Sequence, residues 1–199
     1  EAGAVLLRRS RNLLDNARLL ERVAVGLAQG VEGVVRLAIE VIYPIAPLLA
    51  LLERFSEAYP QTRVELSEVV LSGGHDLLES GQVEVLVSSM VPTGFVGEPL
   101  LPVELVCVAN PGHPLHDLGR EVTLQDLRQH RQIVTRDSGA QRRFSAPWLE
   151  AEQRWTVGHF ATSVAAVAAG HGVAWFPVEK VASEIAAGLL APLPLAEGG

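Results

Sequence analysis

The order of hydrophobic patterns between residues 34 and 87 constrains the fold of this chain more than any other feature. Three stretches have the pattern of strands: Val34 to Ile42, the alternating stretch Arg63 to Val70 and the short apolar stretch Val83 to Val87. The stretches between them, Pro44 to Tyr59 and the residues after Ser72, have the pattern of helices. Strands that alternate with helices in this way are the mark of a parallel sheet covered by helices. Within the first helix, the expected apolar face consists of Leu48, Leu49, Leu51, Leu52 and Phe55.

A second α/β unit follows the first. Its predicted strands are Val103 to Ala109, Gln132 to Thr135, Arg154 to Val157, Val173 to Phe176 and Leu189 to Leu195. Its predicted helices begin at Thr123, Ala161 and Val178. Ligands of such sheets lie in crevices at the carboxyl ends of the strands, and two units that face each other form a cleft that can close on a small molecule.

Leucines recur every seven residues in the first 32 residues, with small residues at the alternate core positions. This spacing predicts a helix that pairs with another helix, and the Gly30 to Gly33 stretch ends it. The predicted dimerisation residues are Leu6, Leu13, Ala17, Leu20 and Leu27. The alternative is an amphipathic helix that packs on its own domain. The predicted domains are a linker helix over residues 1–32 and two units over 33–100 and 101–199.

The charge and the functional side chains exclude several classes of protein. The net charge is −7, and 19 of the 23 acidic residues follow residue 32, which opposes nucleic-acid binding by this part of the chain. The one cysteine, Cys107, excludes an internal disulfide and agrees with a cytoplasmic location. No apolar stretch is long enough to span a membrane. We find no histidine pair with metal-ligand spacing, no phosphate-binding glycine loop and no nucleophile elbow, so we expect no metal, no cofactor and no catalytic residues.

Six phrases of the sequence, in order, resemble the effector-binding region of LysR-type transcriptional regulators. They are Glu1 to Gly3, Phe55 to Pro60, Leu77 to Val85, Asn110 to Leu115, Gly170 to Pro177 and Leu189 to Leu195. The resemblance covers nearly the whole chain. It also implies that a winged helix-turn-helix head belongs before Glu1 and that a last strand and helix belong after Gly199, so the chain is expected to be trimmed at both ends.

This resemblance implies a fold and a function. The fold is α/β, with two Rossmann-like subdomains of periplasmic-binding-protein type II architecture preceded by a long linker helix. The implied function is to bind a small-molecule effector in the cleft of a homodimer or homotetramer. Binding would modulate DNA contact by the head, which is the only part expected to touch DNA. The alternatives are a solute-binding protein of the same fold and a two-unit α/β enzyme.

The resemblance also implies which positions line the cleft. Carried over position by position, the effector-binding residues are Glu40, Val41, Tyr43, Ser72, Gly73, Ser88, Ser89, Thr135, His159, Ala161 and Thr162. Glu40 at the end of a strand suits a cationic or hydroxylated ligand, or else points to solvent or pairs with an arginine. The free N–H groups at Ser72 and Gly73 suit an anion, although simple capping of the helix by Ser72 is the alternative.

Overall fold

The first unit is a three-stranded parallel sheet with helices on both faces. The computed structural model describes Leu14, residues 33–140, Ala151 and residues 153–196. In chain order the first elements are β1 (Val34–Glu40), α1 (Ile45–Ala58), β2 (Arg63–Val69), α2 (Gly73–Glu79) and β3 (Val85–Val87). The strand order is β2-β1-β3, and both pairings are parallel. The predicted alternation of strands and helices is therefore confirmed.

Successive residues of β1 face opposite sides of the sheet, so each side receives its own helix. Leu37 and Ile39 pack with Leu48 of α1 in one core cluster. Ala38 packs in another cluster with Val69 and Val83, against which the leucines of α2 are placed. Only part of the predicted apolar face of α1 is buried, as the exposed fractions show: 2% for Leu48 but 56% for both Leu49 and Leu51. Leu48, Leu52 and Phe55 recur at the spacing of one helical face, whereas Leu49 and Leu51 fall on either side of it.

The second unit has a more mixed topology than the first. Its elements are β4 (Leu105–Ala109), a 3₁₀ helix (Pro114–Leu118), α3 (Leu124–Arg128), β5 (Gln132–Thr135), β6 (Arg154–Val157), α4 (Phe160–Ala168), β7 (Ala174–Pro177), α5 (Val178–Ala186) and β8 (Ala191–Pro192). β4 pairs antiparallel with β7 and β8, and β5 pairs in parallel with β6. The last strand is shorter than predicted because Pro192 and Pro194 have no N–H to donate to a ladder.

The single cysteine lies in the core of this unit. Cys107 on β4 is 1% exposed and packs with Leu115, Val122 and Leu127. Burial raises the pKa of its thiol to about 12. The residue acts as a small apolar side chain, as its apolar neighbours in the sequence indicate.

Some predictions fall outside the described residues. They concern the dimerisation residues Leu6, Leu13, Ala17, Leu20 and Leu27. Leu14 is helical and 58% exposed. The strands of the first sheet come from residues 34–87, and the strands of the other two sheets come from residues 105–192. The domain boundaries predicted after residues 32 and 100 stay predictions. Among the residues described, no helix combines the length and the apolar character that crossing a membrane requires.

Candidate functional site

The carboxylate of Glu40 is buried at the carboxyl end of the first sheet. Only 4% of the residue is exposed, and its Oε2 accepts the main-chain N–H of Ser89 at 2.6 Å. The carboxylate therefore ties the loop after β3 to the end of β1, instead of pointing to solvent. Tyr43, three residues further, packs against the core cluster of Leu37, Ile39 and Leu48. Ser88 next to Ser89 is half-buried, and its hydroxyl donates to the carbonyl of Met90 at 2.5 Å.

Ser72, at the start of α2, binds a carboxylate that belongs to the second unit. Its main-chain N–H donates to Oδ1 of Asp137 at 3.1 Å, and its hydroxyl lies 2.8 Å from both carboxylate oxygens. The N–H of Gly139 donates to the same Oδ1 at 2.9 Å. Ser72 makes no side-chain capping bond to its own helix. The anion that the free donors of Ser72 predicted is therefore supplied in this structure by the chain itself.

This contact extends into what we call the interunit seam, in which residues 70–76 meet residues 137–140. The hydroxyl of Ser138 accepts the N–H of Val70 at 2.9 Å, and the N–H of Ser138 donates to the carbonyl of Val70 at 3.1 Å. Two glycines allow the approach. A Cβ on Gly73 would lie 1.9 Å from Oγ of Ser138, and a Cβ on Gly139 would lie 2.0 Å from Oγ of Ser72. A side chain at either position would therefore force the facing serine or the seam around it to shift.

Lys180, in the first turn of α5, makes a second contact between the units. Its Nζ donates to the carbonyl of Val41 at 2.6 Å and lies 5.3 Å from the centre of the Phe160 ring. Burial lowers the pKa of the ammonium, against the attraction of Glu68, which raises it. The sequence reasoning did not select Lys180. The signal that identifies it in retrospect is that Lys180 is the sole lysine of the chain.

The remaining predicted residues lie on the second unit. Thr135, at the end of β5, is half-buried, and its hydroxyl lies 3.3 Å from that of Ser163, which is fully buried. His159, Ala161 and Thr162, at the start of α4, are exposed. Lys180 links this region to the first unit because it contacts both Val41 and Phe160, the residue between His159 and Ala161.

A groove of about 400 Å³ lies elsewhere on the first unit. Its lining residues are Arg36, Glu65, Ser67, Leu77, Gly81, Gln82 and Val83. The guanidinium of Arg36 lies between the carboxylates of Glu65 and Glu84, at 3.1 Å and 3.3 Å. The main-chain N–H and the guanidinium of Arg36 lower the pKa of Glu84. The charges of these three groups compensate one another. The groove also lies away from the carboxyl ends of the strands, so we assign it no role in the site.

The site as a whole offers hydroxyls, main-chain groups, two internal carboxylates and one ammonium. These groups can bind and orient a small polar molecule. Within residues 33–140 and 153–196, no three histidine, cysteine, aspartate or glutamate side chains are grouped so as to hold a metal ion.

Comparison with known proteins identifies the family of the chain. Residues 28–198 match the LysR substrate binding domain family. The chain is 27% identical over 180 residues to the uncharacterized HTH-type transcriptional regulator YeeY of Escherichia coli (strain K12); the match covers 88% of this chain and 58% of YeeY. The chain thus spans less than two thirds of that relative.

Two solved structures show the same fold. The CcmR regulatory domain of Synechocystis PCC6803, in complex with 2-PG, has a TM-score of 0.65 at 20% identity, with 83% of this chain and 82% of that chain covered. The effector binding domain of QuiR, in complex with shikimate, has a TM-score of 0.61 at 17% identity, with 84% and 83% covered. The two-unit α/β architecture that the sequence predicted is confirmed.

Proposed function

The chain belongs to the LysR substrate binding domain family, and from this premise we propose that it binds a small-molecule effector between its two units. The observation that carries the proposal is the meeting of strand ends. The carboxyl ends of β1, β2 and β3 lie at one edge of the first sheet, and those of β5 and β6 at one edge of the second unit. The bond between Ser72 and Asp137 brings these two edges together, at the location where α/β sheets bind ligands.

The residues proposed to bind the effector are those that line these edges. The hydroxyls of Ser88 and Thr162 and the imidazole of His159 supply donors and acceptors for a polar molecule. The ligands bound by CcmR and QuiR, 2-PG and shikimate, support a small polar effector. We propose ligand binding without catalysis.

The wider function concerns the whole protein. We propose that it is a cytoplasmic transcription regulator that forms a homodimer or homotetramer through the helix predicted over residues 1–32. A DNA-binding head would supply the DNA contacts. An effector that binds one arrangement of the two units more tightly than another would change how the heads are presented.

A thermal-denaturation screen against metabolites of all charge types tests this function. An effector at about 100 times its Kd stabilises the folded chain by about 2.7 kcal/mol, which corresponds to roughly 5–10 °C for a chain of this size. We expect Thr162→Ala to reduce this shift because it removes a proposed ligand contact, and Ser72→Ala to reduce it because it removes the hydroxyl bond to Asp137 that joins the two units. Ser80→Ala, at the other end of the same helix as Ser72, is the matched control and should retain it.

The absence of a concentration-dependent shift for every metabolite would count against effector binding. If both site variants kept the full increase in melting temperature, the effector would bind somewhere other than the strand ends.

A further inference from the structure

Lys180 differs in kind from every other positively charged side chain of this protein. The chain has 16 lysines and arginines, and Lys180 is the one lysine. It is half-buried at the contact between the two units. Arginine and lysine differ in what they bind: the planar guanidinium prefers paired oxygens, whereas the ammonium is a compact point charge that suits a single oxygen.

The partners of this ammonium in the structure are uncharged. Nζ donates one hydrogen bond, to the main-chain carbonyl of Val41 at 2.6 Å, and faces the ring of Phe160. Among the described residues, no carboxylate forms an ion pair with it. Glu68 attracts it from beyond ion-pair distance, and burial lowers its pKa, whereas a carboxylate in contact would raise the pKa. An ammonium has three N–H donors, so further acceptors can be bound.

The two carboxylates at the strand ends already have partners within the chain. The carboxylate of Asp137 takes the donors of Ser72, and that of Glu40 takes the N–H of Ser89. The chain thus supplies its own anions to these donors. Lys180 is left as a half-buried positive charge that a negative ligand would compensate, and the burial of an uncompensated charge is costly.

We propose that the effector carries an oxyanion, a carboxylate or a phosphate, and that Lys180 binds it. This inference rests on the function proposed above and adds to it the chemical class of the ligand and a specificity-determining residue. The anion bonds to donors of Nζ that Val41 does not use. Because Lys180 contacts Val41 on one unit and Phe160 on the other, an anion bound at Nζ interacts with the contact between the two units.

The single lysine makes a direct test possible. The wild-type chain, labelled with ¹³C-lysine, gives one Cε resonance. It is titrated with sodium benzoate and with sodium phosphate, at an ionic strength held constant with sodium chloride, and with benzamide as the uncharged counterpart of benzoate. We expect at least one anion to shift the Cε resonance saturably and to raise the melting temperature, and benzamide to do neither.

Variants separate a binding role from a structural one. Lys180→Met should weaken anion binding about tenfold or more, the effect of losing a charge-assisted hydrogen bond, and Lys180→Arg should retain part of it. Arg54→Met on α1 removes a positive charge away from the site and should bind the anion as the wild type does.

Three results would overturn the inference. The first is an anion that stabilises the chain but leaves the Cε resonance unmoved, and the second is an effector that Lys180→Met binds as tightly as the wild type does. The third is a screen in which only neutral or cationic compounds bind. In each of these cases the effector-binding function stands, whereas a screen without any binder of any charge overturns both.

Discussion

Replacement of Gly139 by alanine should destabilise the chain through the interunit seam alone. The added Cβ would lie 2.0 Å from Oγ of Ser72 and 3.0 Å from its main-chain carbon and its Cβ. Gly139 does not have a positive φ, so its own backbone accepts alanine. In an unobstructed position the change would even stabilise the chain by about 0.4–1 kcal/mol, because alanine has less freedom in the unfolded state.

The clash outweighs this gain. The insertion of a methyl group into a close-packed contact costs about 1–3 kcal/mol. The difference between these ranges is a net loss of up to about 2.6 kcal/mol, with a midpoint of about 1.3 kcal/mol. At the midpoint, the melting temperature of a chain of this size should fall by about 3–5 °C.

Thermal and urea denaturation of matched variants measure the effect. Gly158→Ala is the control, because an added Cβ there meets no atom within 4 Å and its φ is not positive; its stability should equal or slightly exceed that of the wild type. In the double variant Ser72→Ala and Gly139→Ala, removal of Oγ should make the total loss smaller than the sum of the two single losses. If Gly139→Ala were as stable as Gly158→Ala, the units would not meet in solution as the structure shows, and the reasoning would be refuted.

Three further predictions concern the core and the titrating groups. Leu48→Ala should lower the free energy of unfolding by about 2–5 kcal/mol, whereas Leu49→Ala should change it little, because only Leu48 is buried. Equal losses in urea denaturation would contradict the burial pattern of α1. The hydrogen bond from Arg120 lowers the pKa of Asp126, so the ionised carboxylate stabilises the folded chain above about pH 4 and this stabilisation is lost in more acidic solution. The unfolding free energies of the wild type and Asp126→Asn should therefore differ at pH 6 and converge as the pH falls below 4. A difference that stays constant with pH would disprove this. Burial, and then two neighbouring histidines, lower the pKa of His113. The unfolded chain therefore takes up a proton more readily than the folded chain, and the free energy of unfolding should fall as the pH drops below about 6.5. In urea titrations at pH 7.5 and 5.5, His113→Asn should show a smaller fall than the wild type.

The local order of the fold could be predicted from the sequence. The strand predicted over Val34 to Ile42 and the helical pattern that ends near Tyr59 correspond to β1 and α1, because each depends on residues a few positions apart. Thr123 was expected to begin a helix, and it does so with a capping box to Asp126. The parallel first sheet follows from the alternation of these elements.

The antiparallel pairing of β4 with β7 could not be predicted, because it joins residues far apart in the chain. The sequence likewise could not show that only part of the leucine face of α1 is buried, since burial depends on the position of the sheet.

For the candidate site too, some features could be predicted from the sequence and others could not. The sequence, through its resemblance to a family, placed Val41 and Ser72 at the ends of strands, and the structure has them there. Only the tertiary structure decided their partners. Ser72 binds a carboxylate 65 residues away, and Val41 accepts a hydrogen bond from a lysine 139 residues away. Local patterns carry no information on such contacts, since their geometry is set by how two separately formed units pack against each other.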